Sequence, residues 1–341
     1  MGKKNVTFDD IAKYTNFSKT TISRYFNNPD SLTLENQQII SDALEALNYK
    51  ENKVARILAN GKTEFVGIII PDLYMHYYAQ MLSDILATYK TFGYKFLVFE
   101  GNRDKAVEQQ YIQELLAYKI EGLIVLSHTI SSQELVSYNV PAVTIEREDQ
   151  YTCSVNTDNY MGAVQATSLL FKNNCDILFH LNQNVSEMTP GYQRIRGFLD
   201  ICREHSLPHK LILTDFGRTY EENEKRLGEI LSEMEEGYKG KKKGIFVSND
   251  TYANILLNLL IRKYGSLPKE YRIVGFDDSP IASSAIVPIS TVGQQIEKIA
   301  RQAMELLVMQ MNERKKRRPT PLKGPIHQVV TPVLRRRSTT D

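Results

Sequence analysis

No apolar run in the 341 residues approaches the roughly 20 needed for a bilayer-spanning helix. The opening residues, MGKKNVTFDD, lack the apolar core of a secretory signal, so the expected compartment is the cytoplasm. Cysteine is scarce. Cys153, Cys175 and Cys202 are odd in number and too far apart for a C-x-x-C metal or redox pair, and they read as reduced packing residues. Also missing are G-x-G-x-x-G after the first strand, G-x-x-x-x-G-K-[ST], G-x-S-x-G and H-E-x-x-H, and the six histidines are scattered. These absences argue against an enzyme, so no catalytic residue, cofactor or metal is expected.

What is present is ordinary for a folded chain: 42% hydrophobic and 24% charged residues, with length for two or three domains and a sizeable core. The net charge of +2 hides a division along the chain. Residues 1–62 hold nine Lys/Arg against seven Asp/Glu, residues 63–312 hold 24 against 31, and residues 313–341 hold nine against two. The middle is acidic and both ends are basic, which leaves room for a nucleic-acid contact at a terminus. The basic runs Arg314 to Arg318 and Arg335 to Arg337 read first as solvated loop and end charges.

The first sixty residues predict three short helices around one small core. Thr7 can cap a helix with Asp9 and Asp10 in its first turn, and Ser18 can cap a second, KTTISRYF, whose Ile22 and Phe26 share a side. Lys19, Thr20, Ser23 and Arg24 remain on its outer faces. Thr33 starts a third helix with Ile39, Ile40, Ala43, Leu44 and Leu47 as its apolar stripe. This pattern suits a helix-turn-helix whose second helix enters the DNA major groove, and it equally suits an ordinary three-helix subdomain.

From Phe65 the texture changes. FVGIIIPD, YKFLVFEG, GLIVLS, PAVTIER, DILFHL, KLILTDF, GIFVSND and YRIVGFDD read as strands, separated by amphipathic helices such as KAVEQQYIQELLAYK and TYANILLNLLIRKYG. Nearly continuous apolar strands imply parallel sheets covered on both faces, and about 250 residues of them imply two similar lobes. Ligands of such sheets bind beyond the strands' carboxyl ends, where Pro71-Asp72, Glu146-Arg147, Asp215-Phe216, Asn249-Asp250 and Asp277-Asp278 stand. Asp158 is expected to cap the helix beginning NYMGA. Between the two regions lies NKVARILANGKTE, one or two helical turns that are too short to be stable alone.

Taken together, VTFDDIAKYTNFSKTTISRYFNN, ALEALNYKENKVARILANGKT, GIIIPDL, SVNTDNYMGA, the R-x-x-G-F of Arg194 to Phe198, FVSND, VGFDD and PISTVGQ resemble, in order, the lac repressor or galactose repressor family of bacterial transcription regulators. The resemblance implies an α/β chain with an N-terminal helix-turn-helix domain over 1–53 and a hinge helix and linker over 54–63. A two-lobed, periplasmic-binding-protein-like domain for effector binding and dimerisation would follow over 64–341. It assigns Lys19, Thr20 and Arg24 to base edges, and Thr7, Ser18, Thr21, Ser23 and Asn27 mainly to phosphates. In the hinge, Leu58 would wedge between base steps of the minor groove and the small Ala55 would approach it. An effector, usually a sugar or related metabolite, would lie between the lobes. Its polar partners would be Glu146, Arg147, Arg194, Asn249 and Asp277, and its walls Tyr74, Tyr78 and Phe216. Glu146 stands where the family more often has aspartate, and YMHYYA is richer in tyrosine than the usual asparagine-proline-phenylalanine stretch.

The implied function is a homodimeric repressor of sugar-utilisation genes acting on an approximately palindromic operator. An activator or corepressor-dependent regulator with a non-sugar effector is the alternative, since the same contacts serve either sign. A solute-binding protein of a transporter fits less well, because it would need export and has no use for residues 1–62.

Overall fold

The computed structural model describes residues 6–51, 62–147, 150–187, 189–320 and 322–341. The chain divides into two compact units, Met1–Lys62 and Thr63–Asp341. Thr63 belongs to the second by its bonds: it is buried, and its hydroxyl donates to the Lys119 carbonyl at 2.7 Å.

In the first unit, helices α1 (Phe8–Thr15), α2 (Lys19–Asn27) and α3 (Leu34–Ala46) form as their caps dictate. The Thr7 backbone N–H and hydroxyl both donate to the Asp10 carboxylate, at 2.8 and 2.7 Å. Ser18 Oγ accepts from the Thr21 N–H at 3.1 Å, and Thr33 Oγ1 from Asn36 at 3.3 Å. Ile11, Ile22, Ile40 and Ala43 are fully buried where the helices meet, and Phe8 stacks on Phe26 with ring centroids 5.1 Å apart. Ile39, expected in the apolar stripe of α3, is 40% exposed, because only one side of that helix meets the other two.

The second unit is built on two six-stranded sheets. The first holds β1 (Phe65–Ile70), β2 (Lys95–Glu100), β3 (Gly122–Val125), β4 (Ala142–Ile145), β5 (Cys153–Thr157) and, much later in the chain, β11 (His327–Val330). The second holds β6 (Ile177–Asn182), β7 (His209–Leu213), β8 (Lys243–Val247), β9 (Tyr271–Asp277), β10 (Ser290–Gly293) and β12 (Val333–Arg335). Their orders are β11-β5-β4-β3-β1-β2 and β12-β10-β9-β8-β6-β7, parallel throughout except for β12 against β10. The chain therefore passes between lobes three times, after β5, after β10 and between β11 and β12. The segment VVTPVLRRRST is divided by Pro332 between the two sheets.

Alternation along β1 shows why the strands read as unbroken apolar runs: Val66, Ile68 and Ile70 enter the layer covered by the helix Ile296–Arg314, whereas Ile69 enters the opposite one. Val66 pairs with Phe96 on one side and Gly122 on the other. The second lobe repeats the plan, with Ile245 and Val247 of β8 on one face and Phe246 on the other. Cys153 and Cys202 are buried and Cys175 is half-buried, and none forms a disulfide.

Candidate functional site

The carboxyl ends of β3, β4, β6, β8, β9 and β10 converge on a cleft of about 180 Å³ between the lobes, and the polar groups there are joined into one network. Glu146 follows β4 in a left-handed conformation, φ 56°. Its Oε1 accepts from the Thr157 N–H at 2.6 Å and its Oε2 from Asn159 Nδ2 at 2.8 Å. Asn159 Oδ1 in turn accepts from Arg194 Nε at 2.7 Å, and Arg194 also donates to the Ser248 carbonyl at 2.6 Å. The guanidinium lies over the Phe276 ring, 3.7 Å from its centroid, so its plane as well as its position is set.

Arg194 is delivered by a close helix crossing. Gly197, three residues on, faces the backbone of the helix Asn159–Lys172: a Cβ there would lie 2.5 Å from the Tyr160 carbonyl oxygen. The absence of a side chain at 197 is what lets the helix Tyr192–Glu204 approach.

Asp277 ends β9 with φ 109° and is buried. Gln294 Nε2 donates to it at 2.5 Å, while Gln294 Oε1 accepts from Thr157 Oγ1 at 2.6 Å. Burial pushes the Asp277 carboxyl up to about 7, Arg194 and the Gln294 hydrogen bond pull it back, and the Glu146 charge adds to the rise. Beneath it, Asp250 is fully buried and its carboxyl is likewise raised, by burial and by the Asp277 charge. It is held by Thr291 Oγ1 at 2.6 Å and by the Ser279 N–H at 2.9 Å. Two non-glycine residues in left-handed backbone conformations at one cleft each cost about 1–3 kcal/mol, a strain characteristic of binding sites.

Five of the effector residues expected from sequence line this cleft: Tyr78, Glu146, Arg194, Asn249 and Asp277. Asn249 also caps the helix Asp250–Tyr264 by accepting from the Tyr252 N–H at 2.9 Å. Three are placed elsewhere. Tyr74 packs into the core of the second lobe, its hydroxyl accepting from Asn223 Nδ2 at 3.3 Å. Phe216 follows the edge strand β7, away from the central strands, and stacks on Tyr252 with centroids 3.9 Å apart. Arg147 is buried in the first lobe, where its charge acts on Glu108 and His128.

The structure adds cleft residues that strand-end reasoning passed over: Tyr77, Arg103, His128, Asn182, Ser248 and Gln294. Gln294 was within reach, since it stands in PISTVGQ, and Asn182 ends the strand after DILFHL. The Tyr77 hydroxyl and Ser248 Oγ are buried without a hydrogen-bond partner among the described residues, which makes both available to a bound polar molecule. Arg103 is aimed by Asp72, with Nε to Oδ2 at 2.9 Å.

On the first unit, the expected DNA-reading residues cluster as α1 and α2 dictate. Lys19, Thr20, Arg24 and Asn27 are exposed along α2, Thr21 and Ser23 are half-buried, and Thr7 and Ser18 stand exposed just before the two helix starts. Lys19 meets Asp9 at 2.6 Å, an open pair of little energetic weight that a phosphate or base edge can displace. Asn27 Nδ2 donates to Ser23 Oγ at 3.1 Å. Ala55, Leu58 and most of the expected hinge lie outside the described residues. Among the described residues, no group of His, Cys, Asp and Glu is placed to hold a metal ion, and no helix is long and apolar enough to cross a membrane.

Comparison with known proteins points the same way. A family profile for "Periplasmic binding proteins and sugar binding domain of LacI family" matches residues 63–232, and one for "Periplasmic binding protein-like domain" matches 172–339. The ribose operon repressor of Halalkalibacterium halodurans is 24% identical over 90% of this chain and 91% of its own. Catabolite control protein A of Priestia megaterium is 26% identical over 91% and 93%. The structure resembles a lac repressor dimer bound to operator and the anti-inducer ONPF, with TM-score 0.81, 20% identity and 99% of each chain covered. It also resembles a periplasmic binding protein/LacI transcriptional regulator of Alkaliphilus metalliredigens complexed with D-xylulofuranose, with TM-score 0.69, 27% identity and 82% and 99% covered.

Proposed function

The chain belongs to the lac repressor and galactose repressor family of transcription regulators, and from that premise we propose that it is a sugar-responsive repressor whose effector occupies the cleft between the lobes. The carrying observation is the unbroken chain of hydrogen bonds from Glu146 through Asn159 to Arg194, with Asp277 facing the same small cavity. Bidentate acceptors and a guanidinium with an oriented plane suit vicinal hydroxyls, and Tyr78 supplies a wall for the C–H face of a ring. The relatives are named a ribose operon repressor and a catabolite control protein, and a regulator of this kind works where the DNA is, in the cytoplasm.

Reading of DNA falls to α2: Lys19, Thr20 and Arg24 toward base edges, with Thr7, Ser18, Thr21, Ser23 and Asn27 holding phosphates. A homodimer places two such helices on an approximately palindromic operator. In each chain Ala55 and Leu58 of the hinge would meet the minor groove. Coupling rests on the contacts that cross between lobes: Glu146 to Asn159, Thr157 to Gln294, and His76 Nδ1 to Thr251 Oγ1 at 3.1 Å. An effector that satisfies Tyr77 and Ser248 only in one lobe spacing binds that spacing better, and this difference is all it can contribute to switching.

The test pairs a thermal-shift screen of pentoses, hexoses, disaccharides and their phosphates with binding to operator selected from random duplexes. A sugar or sugar phosphate that both stabilises the protein and changes operator affinity is the expected result. A protein that holds no duplex at low salt, or holds it indifferently to every stabilising sugar, would refute the reading.

A further inference from the structure

His128 stands just beyond the apolar run GLIVLS, past the carboxyl end of β3, and lines the cleft. Its imidazole is open to solvent there and has no hydrogen bond or ion pair among the described residues. Several polar neighbours are already engaged. Glu146 accepts through both carboxylate oxygens, Gln294 is bonded at both ends of its amide, and Arg103 is held by Asp72. His128, like the Tyr77 hydroxyl, keeps its full bonding capacity for a molecule that enters. Both belong to the first lobe, whereas Arg194, Asn249 and Asp277 belong to the second, so a molecule that meets His128 is gripped from both walls.

The turn that carries the imidazole is fixed on each side of it. The Leu126 N–H donates to the Ile69 carbonyl at 2.9 Å, and Ser127 Oγ donates to the buried Glu108 carboxylate while accepting from the Thr129 N–H at 3.1 Å. Leu126, Ser127 and Ile130 are buried. A side chain on so constrained a turn has little backbone freedom left to lose when it makes a contact. Loss of hydration and, after it, the Arg147 charge lower the imidazole from 6.5 to about 4, so at neutral pH it is uncharged. It then offers one N–H donor and one bare acceptor nitrogen. A sugar hydroxyl, itself donor and acceptor, suits either tautomer; a phosphate or carboxylate offers acceptors alone and meets no positive charge on this ring.

We propose that His128 is a specificity-determining group of the effector cleft: it hydrogen-bonds one hydroxyl of the bound sugar and so discriminates among sugars that differ at that carbon. This rests on the reading of the cleft as a sugar site.

The experiment measures binding to the full-length protein by calorimetry near neutral pH, with D-ribose, D-xylulose, D-glucose and D-galactose, their phosphates and their monodeoxy forms as probes. For a sugar that binds, His128→Phe, which keeps a ring and loses both nitrogens, lowers affinity by about 2- to 12-fold, the worth of one hydrogen bond. At least one of His128→Asn and His128→Gln, whose amides stand near the places of Nδ1 and Nε2, restores most of that loss. Removing one particular hydroxyl costs the wild type a similar factor and costs His128→Phe nothing further, the non-additivity of groups in direct contact. Equal affinities of wild type and His128→Phe for every bound sugar, or additive losses throughout the deoxy series, would overturn the assignment and leave the cleft a sugar site. A loss confined to the phosphates would put an anion at His128 and overturn it as well. A wild type that binds none of the probes overturns the sugar reading, and the assignment with it, which is a distinguishable failure.

Discussion

Asp277→Asn separates the stability of this protein from its function. The native carboxyl is raised from 3.8 to about 7, chiefly because burial disfavours its charge. Between those values the unfolded chain has lost the proton that the folded chain still holds. Folding stability from this group is therefore complete below about pH 4 and is lost as pH rises to about 7. A rise of about three units corresponds to about 4 kcal/mol, at a slope near 1.4 kcal/mol per pH unit. Asparagine keeps the acceptor for Gln294 and tolerates the positive φ, so the variant should match the wild type near pH 4 and exceed it by a few kcal/mol at pH 8. Its neutral side chain also relieves Asp250, which acts in the same direction. The gain should come at the expense of effector binding, since only the ionised form offers two strong acceptors to vicinal hydroxyls. In the wild type, affinity for an uncharged sugar should accordingly rise with pH up to about 7, by at most about tenfold per unit, and the variant should show no such slope. Urea titrations from pH 4 to 8, paired with calorimetry, measure both effects. Parallel stability curves for the two proteins, or a variant that binds sugar as the wild type does, would refute the account.

Other substitutions probe other levels of the structure. Arg194→Lys removes the planar donor that joins Asn159 to Ser248 across Phe276, and should weaken effector binding by about 2–5 kcal/mol in calorimetry while leaving operator affinity without effector unchanged. Gly197→Ala drives a methyl group against the Tyr160 carbonyl and should cost about 1–3 kcal/mol in urea unfolding, with effector affinity falling as Arg194 shifts. Ile22→Ala opens the small core beneath α2 and should cost about 2–5 kcal/mol, enough to unfold so small a unit. Operator binding should then vanish while sugar-induced thermal stabilisation survives. On α2 itself, Lys19→Ala should alter base preference in a selection experiment, whereas Asn27→Ala should weaken all duplexes alike and lower the salt slope.

Local instructions were readable from the residues alone. Ser18, Thr33 and Asp158 each cap the helix they precede, because a side-chain oxygen beside free N–H groups acts within three residues, and at the first helix Asp10 reaches back to accept from the Thr7 N–H and hydroxyl. Eight apolar strands and the polar groups just beyond them, Glu146, Asn249 and Asp277, were legible for a similar reason: a parallel sheet covered on both faces leaves only its strand ends free to vary. Tertiary structure decided what depends on distant partners. The short strands β5, β10, β11 and β12 carry too little pattern of their own and exist because neighbours from up to about 170 residues away offer a free edge, as Ser154 does to His327. The same long-range folding turned Tyr74 and Phe216 into core residues, brought Tyr77, Arg103 and Gln294 to the cleft, and buried Asp250 beneath Asp277. It also brought Arg335 at the end of β12 and Arg337 just beyond it to Asp278. In the two basic runs near the end of the chain, Arg335 and Arg337 share Asp278, whereas Lys315 and Lys316 pair with Glu121 and Glu313.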